Sequence, residues 1–175
     1  GTTTVALVCK GGVVLGADTR VTTGYLIAHK RGKKIFQITP RAAVTVAGVL
    51  ADAQAIVDSL RFSARLYQLR YTRLMTTRAI ANLLSNLLFS YRLTPLITEF
   101  IVGGFDDKPS LYRIDLFGSI TADRYISSGS GSPIALGVLE SEYKSDMDLD
   151  SAIRLVVKSL MASLSRDAAS GNWID

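Results

Sequence analysis

Short runs of β-branched and apolar residues fill the first fifty positions. Residues 3–9 (TTVALVC) and 13–18 (VVLGAD) flank Lys10-Gly11-Gly12, and a Gly-Gly pair between two such runs signals a hairpin. The chain is therefore predicted to open with an antiparallel ribbon, in which Thr3 and Thr4 are ordinary strand residues. Lys34–Ile38 and Ala42–Ala47, separated by Thr39-Pro40 and closed by Gly48, read as two further strands of the same sheet. From Asp52 to Tyr71 the period changes. Ala53, Ile56, Val57, Leu60, Ala64, Tyr67 and Tyr71 recur at helical spacing, which predicts a helix over Asp52–Tyr71. A second stripe on it, Phe62, Leu66 and Leu69, exceeds what packing on one sheet requires and points to a partner subunit. A second helix is predicted over Thr77–Tyr91, from Ile80, Leu83, Leu84, Leu87, Leu88 and Tyr91, ending before Leu93-Thr94-Pro95.

Strand character returns over Ile97–Val102, stops at Gly103-Gly104, and resumes over Ser110–Leu116 and Ile120–Ser127, a second antiparallel sheet with turns at 106–109 and Phe117-Gly118. Ser132 followed by Pro133 reads as an N-cap with proline in the first turn of a helix through Tyr143. Asp148 then precedes a stripe of Leu149, Ala152, Ile153, Val156, Val157, Leu160 and Leu164, a fourth helix. Strands, two helices, strands, two helices: this order favours segregated layers over an alternating parallel sheet. The expected fold class is α+β, a four-layer αββα sandwich of two antiparallel sheets flanked by helix pairs.

Composition narrows the chemistry more than the fold. With 175 residues and 48% hydrophobic content, one domain spanning 1–175 with a large core is expected. The excess of 20 basic over 15 acidic residues is scattered along the chain, so no nucleic-acid surface is expected. No apolar stretch approaches the roughly 20 residues that span a bilayer, and no signal peptide opens the chain. A soluble cytoplasmic protein without a membrane partner is expected. The one cysteine, Cys9, sits in an apolar run and reads as a buried hydrophobe. The one histidine, His29, has no ligand-spaced neighbours, so neither a metal, nor a cofactor, nor a histidine-based triad is expected. Hydrolytic chemistry would need another base.

Taken singly, the polar candidates are unspecific. Asp18 reads as a turn residue, Lys34 as a surface lysine, the run 127–132 as a flexible turn whose N–H groups could also hold a negative charge, and Asp167 with Ser170 as a helix end. Their combination is specific. The start TTTVALVCKGGVVLGADTR, the segment Lys30–Ile38, Thr45-Val46-Ala47-Gly48 followed by Asp52-Ala53-Gln54, the block SGSGSPIALGVLE and the close SRDAASGNWID resemble catalytic β subunits of the 20S proteasome, particularly the archaeal type, in order and over almost the whole length.

The resemblance implies the N-terminal nucleophile hydrolase fold, which agrees with the sandwich read from element order. It also implies a threonine endopeptidase in which Thr2 is the nucleophile, Asp18 and Lys34 the charged pair beside it, and Ser130, Asp167 and Ser170 a supporting network. The Gly48 N–H would be the oxyanion donor. Substrate would lie along Thr22 and Gly48–Leu50, with a side-chain pocket near Val21, Val46 and Gln54 that prefers hydrophobic residues. Implied partners are other β subunits in seven-membered rings, α-subunit rings, a regulatory ATPase acting through the α rings, and unfolded polypeptide. The physics explains the missing histidine. A free α-amine titrates near 7.7–8.0, so an N-terminal threonine carries its own base beside its nucleophile. Two other readings share parts of this pattern: the simpler bacterial two-ring threonine protease, and a latent or non-catalytic structural ring subunit. Two departures from the family stand out. The chain stops at Asp175, where the family continues with another strand and more, which suggests a truncated end. Gly1 covers the amine that the mechanism needs, as a propeptide or engineered remnant would.

Overall fold

Residues 1–175 are described by a computed structural model. The opening ribbon forms as expected. β1 (Thr4–Cys9) pairs antiparallel with β2 (Gly12–Ala17), Cys9 facing Gly12 across the Gly11 turn. The two following strands do not join it. β5 (Ile35–Thr39) and β6 (Ala42–Gly48) pair with each other and then with β7 (Thr98–Phe105), β8 (Pro109–Ile114) and β9 (Ile120–Ala122) in a five-stranded sheet of order β5-β6-β7-β8-β9. Local pattern cannot specify which sheet a strand enters when both sheets are antiparallel and share a core.

The predicted strand over Ile120–Ser127 is two strands. It breaks at Asp123-Arg124, and its second half, β10 (Tyr125–Ser128), crosses layers to pair with the free edge of β1, giving the three-stranded order β10-β1-β2. Gly103-Gly104 is not a stop, since β7 runs through it to Phe105. A small hairpin of β3 (Val21–Thr23) and β4 (Leu26–His29), which the local pattern does not predict, stands between the ribbon and β5. The four predicted helices are α1 (Leu50–Tyr71), α2 (Thr77–Ser90), α3 (Ser132–Glu142) and α4 (Leu149–Leu164). α1 begins two residues before the predicted Asp52, and Gly131 rather than Ser132 is the N-cap of α3.

Alternation along the central strands sorts the core into three seams. On β1, Val5, Leu7 and Cys9 pack against Ala135, Leu139, Ala152, Val156 and Leu160 of α3 and α4. Ala6 and Val8 point the other way, onto Ile101 and Leu111 of the larger sheet. On β6 and β7, Val44, Val46, Phe100 and Val102 meet Ile56, Leu60, Ile80 and Leu84 of α1 and α2. The layers are therefore helices, five-stranded sheet, three-stranded sheet, helices, as predicted. No helix is long and apolar enough to cross a membrane.

Candidate active site

Four separate pieces of backbone meet at the start of β1. The hairpin register places Thr3 opposite Asp18, whose amide donates to the Thr3 carbonyl at 3.1 Å. Lys34 immediately precedes β5. The β10–α3 turn supplies Gly129 and Ser130. The segment after α4 folds back along the end of β2, where Ala17 and Asp175 exchange backbone hydrogen bonds of 3.0 and 2.9 Å, and this return delivers Asp167 and Ser170.

Asp18 and Lys34 form a buried ion pair at 2.8 Å, their side chains 0% and 4% exposed. A carboxylate so enclosed needs donors on both oxygens, and it has them. Oδ1 accepts from Lys34 Nζ and from the Thr3 amide at 2.9 Å, while Oδ2 accepts from the amides of Arg20 at 3.2 Å and Gly171 at 2.9 Å. Burial holds the Lys34 pKa below the usual lysine range, against the opposing pull of Asp18. The Lys34 ammonium also donates to the Gly1 carbonyl at 3.3 Å, and the Thr2 hydroxyl donates to the same oxygen at 2.7 Å.

On the other flank, the Thr2 amide donates to Ser130 Oγ at 3.1 Å. Ser130 Oγ and Ser170 Oγ donate to one oxygen of Asp167, at 2.7 and 2.6 Å. Since the Ser170 proton is spent on Asp167, the Thr3 hydroxyl is the donor in its 2.8 Å bond to Ser170. Thr3 is thus part of the network through both its amide and its hydroxyl, which corrects its reading as an ordinary strand residue. Nothing in the local sequence marks it, because its partner stands 167 residues away.

Two glycines make this convergence possible. Gly129 has φ +93°, and a Cβ there would overlap the Thr2 carbonyl oxygen. Gly48 has φ +116°, and a Cβ would overlap the Ile97 carbonyl oxygen. Val46 N–H bonds the Lys34 carbonyl at 2.9 Å on the β5 side of β6, whereas Val49 N–H bonds Ile97 on the β7 side. Alternation therefore turns the Gly48 N–H toward the β5 edge, past the point where β5 begins.

A cavity of about 240 Å³ opens beside Thr2, lined by Val21, Thr22, Val46, Gly48 and Leu50, together with Arg20, Val49 and Lys34. Five of the six expected substrate residues are in this wall. Gln54 is not: it stands one turn beyond Leu50 on an exposed position of α1. The Gly1 amine donates to Thr22 Oγ within the same cavity, and burial, then the Lys34 charge, lowers its pKa.

The family model described as "Proteasome subunit" matches residues 1–175, the full chain. The chain belongs to the proteasome subunit family. It is 48% identical over 175 residues to "Proteasome subunit beta 2" of Aeropyrum pernix, covering 100% of this chain and 80% of that relative. It is 49% identical over 177 residues to "Proteasome subunit beta" of Methanopyrus kandleri, with 99% and 84% covered. "Proteasome subunit beta 2" of Staphylothermus marinus is 47% identical over 176 residues, with 99% and 85% covered. Among proteasome subunits the chain is thus of β type, a component of a protein-degrading assembly whose β subunits are in general its proteases. Membership implies that it assembles with other proteasome subunits in rings.

Proposed function

We propose that this proteasome β subunit is a threonine endopeptidase of a 20S core, with Thr2 as nucleophile once Gly1 has been removed. The observation that carries the reading is the Thr2 hydroxyl 2.7 Å from the Gly1 carbonyl oxygen, an oxygen that also accepts from the Lys34 ammonium. With Gly1 attached, the Thr2 nitrogen is an amide and cannot act as a base, so this is the latent form. In the first reaction Oγ attacks the Gly1 carbonyl carbon and the C–N bond to Thr2 breaks. That cleavage frees the α-amine, and water then hydrolyses the resulting ester, freeing the hydroxyl and releasing the Gly1 carboxylate.

In the mature site that amine takes the Oγ proton as Oγ adds to a peptide carbonyl. The Gly48 N–H stabilises the oxyanion, and loss of one such donor costs about 2.7–4 kcal/mol. The amine passes the proton to the leaving nitrogen, then activates water against the acyl-enzyme. Lys34, held by Asp18, disfavours protonation of the amine and keeps it basic. Ser130, backed by Asp167 and Ser170, orients the amine from the other side. No cofactor or metal takes part.

Residues 1–175 constitute one β-type domain in this reading, and Gly1 is removed from it before Thr2 acts. The subunit acts in the cytoplasm on unfolded polypeptide, in seven-membered β rings against α rings through which a regulatory ATPase delivers substrate; neither nucleic acid nor a membrane is a partner. The apolar Val21, Val46 and Leu50 wall suits cleavage after hydrophobic residues. Intact-mass measurement of the assembled particle should show Gly1 lost. In Thr2→Ala, Gly1 should remain, peptide hydrolysis should vanish and the particle should still form. Hydrolysis surviving in that variant would remove Thr2 as the nucleophile.

A further inference from the structure

Ser163, in the last turn of α4, is fully buried and hydrogen-bonds in two directions. Its hydroxyl donates to the Gly131 carbonyl at 2.7 Å, and its own carbonyl accepts the Asp167 amide at 2.7 Å. Gly131 directly follows Ser130, so one residue of α4 holds the backbone on both sides of the 2.7 Å bond from Ser130 Oγ to Asp167. The β10–α3 turn has no slack on its other side. A Cβ on Gly131 would overlap the Thr3 hydroxyl, and the Gly131 amide donates to the Thr2 carbonyl at 3.2 Å. A buried helical serine commonly bonds the carbonyl four residues back, and Ser159 does so, onto Leu155 at 2.7 Å. Ser163 reaches across to the turn instead.

We propose that Ser163 is a positioning residue for the reaction: it fixes the separation of Ser130 and Asp167, and through it the direction of the Ser130 hydroxyl at the Thr2 nitrogen. The proposal rests on the threonine-peptidase reading. While Asp167 takes the Ser130 proton, Ser130 Oγ can only accept from the Thr2 nitrogen, as it does from the amide at 3.1 Å. Once Gly1 is lost, an amine that donates one N–H to Ser130 keeps its lone pair for the Thr2 hydroxyl proton, the geometry a base needs. The same contact favours the charged form of the amine. The charged groups around that nitrogen are Lys34, Asp18 and Arg20 on one side and Asp167 on the other. A neutral substitution at Ser163 alters none of their charges.

The test compares Ser163→Ala, Ser163→Cys and Ser159→Ala in the assembled particle, with rates normalised to the subunits that intact mass shows to have lost Gly1. Alanine at 163 leaves the Gly131 carbonyl its Ile134 and Ala135 amides, both at 3.2 Å, so no buried acceptor is orphaned. Ser163→Ala should lower kcat by about tenfold or more at unchanged KM, since a misplacement of about 1 Å can cost about a hundredfold. Its acidic limb of kcat/KM should move to lower pH, because an amine that loses an acceptor for its charged form has a lower pKa. Ser163→Cys, which keeps the shape and leaves a weak donor, should fall between alanine and wild type. Ser159→Ala loses an equally buried hydroxyl and should keep the wild-type kcat and acidic limb. Wild-type kcat and limb in Ser163→Ala, or an equal loss in Ser159→Ala, overturns the positioning role and leaves the peptidase reading standing. No hydrolysis of any peptide by wild type removes both.

Discussion

Asp167 receives two hydroxyl protons on one oxygen, from Ser130 and Ser170, and the Ala169 amide on the other at 3.2 Å. Burial works to raise its pKa, but these bonds outweigh it and the carboxyl lies below its ordinary range. A carboxylate with a depressed folded pKa adds stability that is fully present above its unfolded value, about 3.9, and is lost as pH falls through the folded value. The stability gap between wild type and Asp167→Asn should therefore be constant from pH 7 to about 5 and close progressively below about 4. Urea midpoints of both proteins at pH 7, 5 and 3 measure this, and a gap as wide at pH 3 as at pH 7 would refute the linkage. Legibility at this site was uneven. Thr2, Asp18, Lys34, Ser130, Asp167 and Ser170, which the structure brings together, stood out only through their joint order along the chain, whereas each alone looked like a turn, cap or surface residue. Thr3 went unseen, and Gln54 was placed in a wall it does not reach, because both depend on where a side chain points after folding.

β6 carries the sequence AAVTVAG, and its alternation sends Val44 and Val46 to the helices. Thr45 consequently points at the other sheet, fully buried, with a hydroxyl that has no hydrogen-bond partner. An unsatisfied buried hydroxyl costs about 1–3 kcal/mol, and valine keeps the branched shape without it. Thr45→Val should raise stability by about 1 kcal/mol, read as a higher denaturant midpoint with unchanged slope; a lower midpoint would mean that the hydroxyl is hydrogen-bonded. The same strand shows what pattern can and cannot convey. Its β-branched run and the glycine at its end announced a strand ending at Gly48, and the helical stripes announced all four helices. Its neighbour β5 across the Thr39-Pro40 turn is as expected, but its sheet was misassigned, since pairing with β7 closes across α1 and α2 and leaves no trace in local period. The layer switch at Asp123-Arg124 was hidden for a related reason: the residues on both sides of it favour strand equally.

α1 turns Ile56, Leu60 and Ala64 to the core and leaves Phe62, Leu66 and Leu69 on its outer side, 67%, 51% and 68% exposed. On the opposite outer layer, α4 exposes Ile153, Val157 and Met161, four residues apart along one face. Contiguous apolar surface of this kind marks contact sites, and the four-layer architecture puts the two stripes on opposite faces of the subunit. A ring component contacted from both faces needs such a pair, which gives the stripe first seen in the α1 periodicity a purpose beyond the fold. Leu66→Asp changes only an exposed position, so the subunit should stay within about 0.5 kcal/mol of wild type in chemical denaturation. Yet a carboxylate forced into an apolar contact without a partner costs several kcal/mol, enough to abolish that contact. Co-expressed with the other subunits, Leu66→Asp and Val157→Asp should each give particles smaller than wild type by sedimentation. The two should halt at different sizes, because each variant closes a different face. Full-size particles from Leu66→Asp would show that the outer stripe of α1 is not an assembly surface, whatever happens at α4.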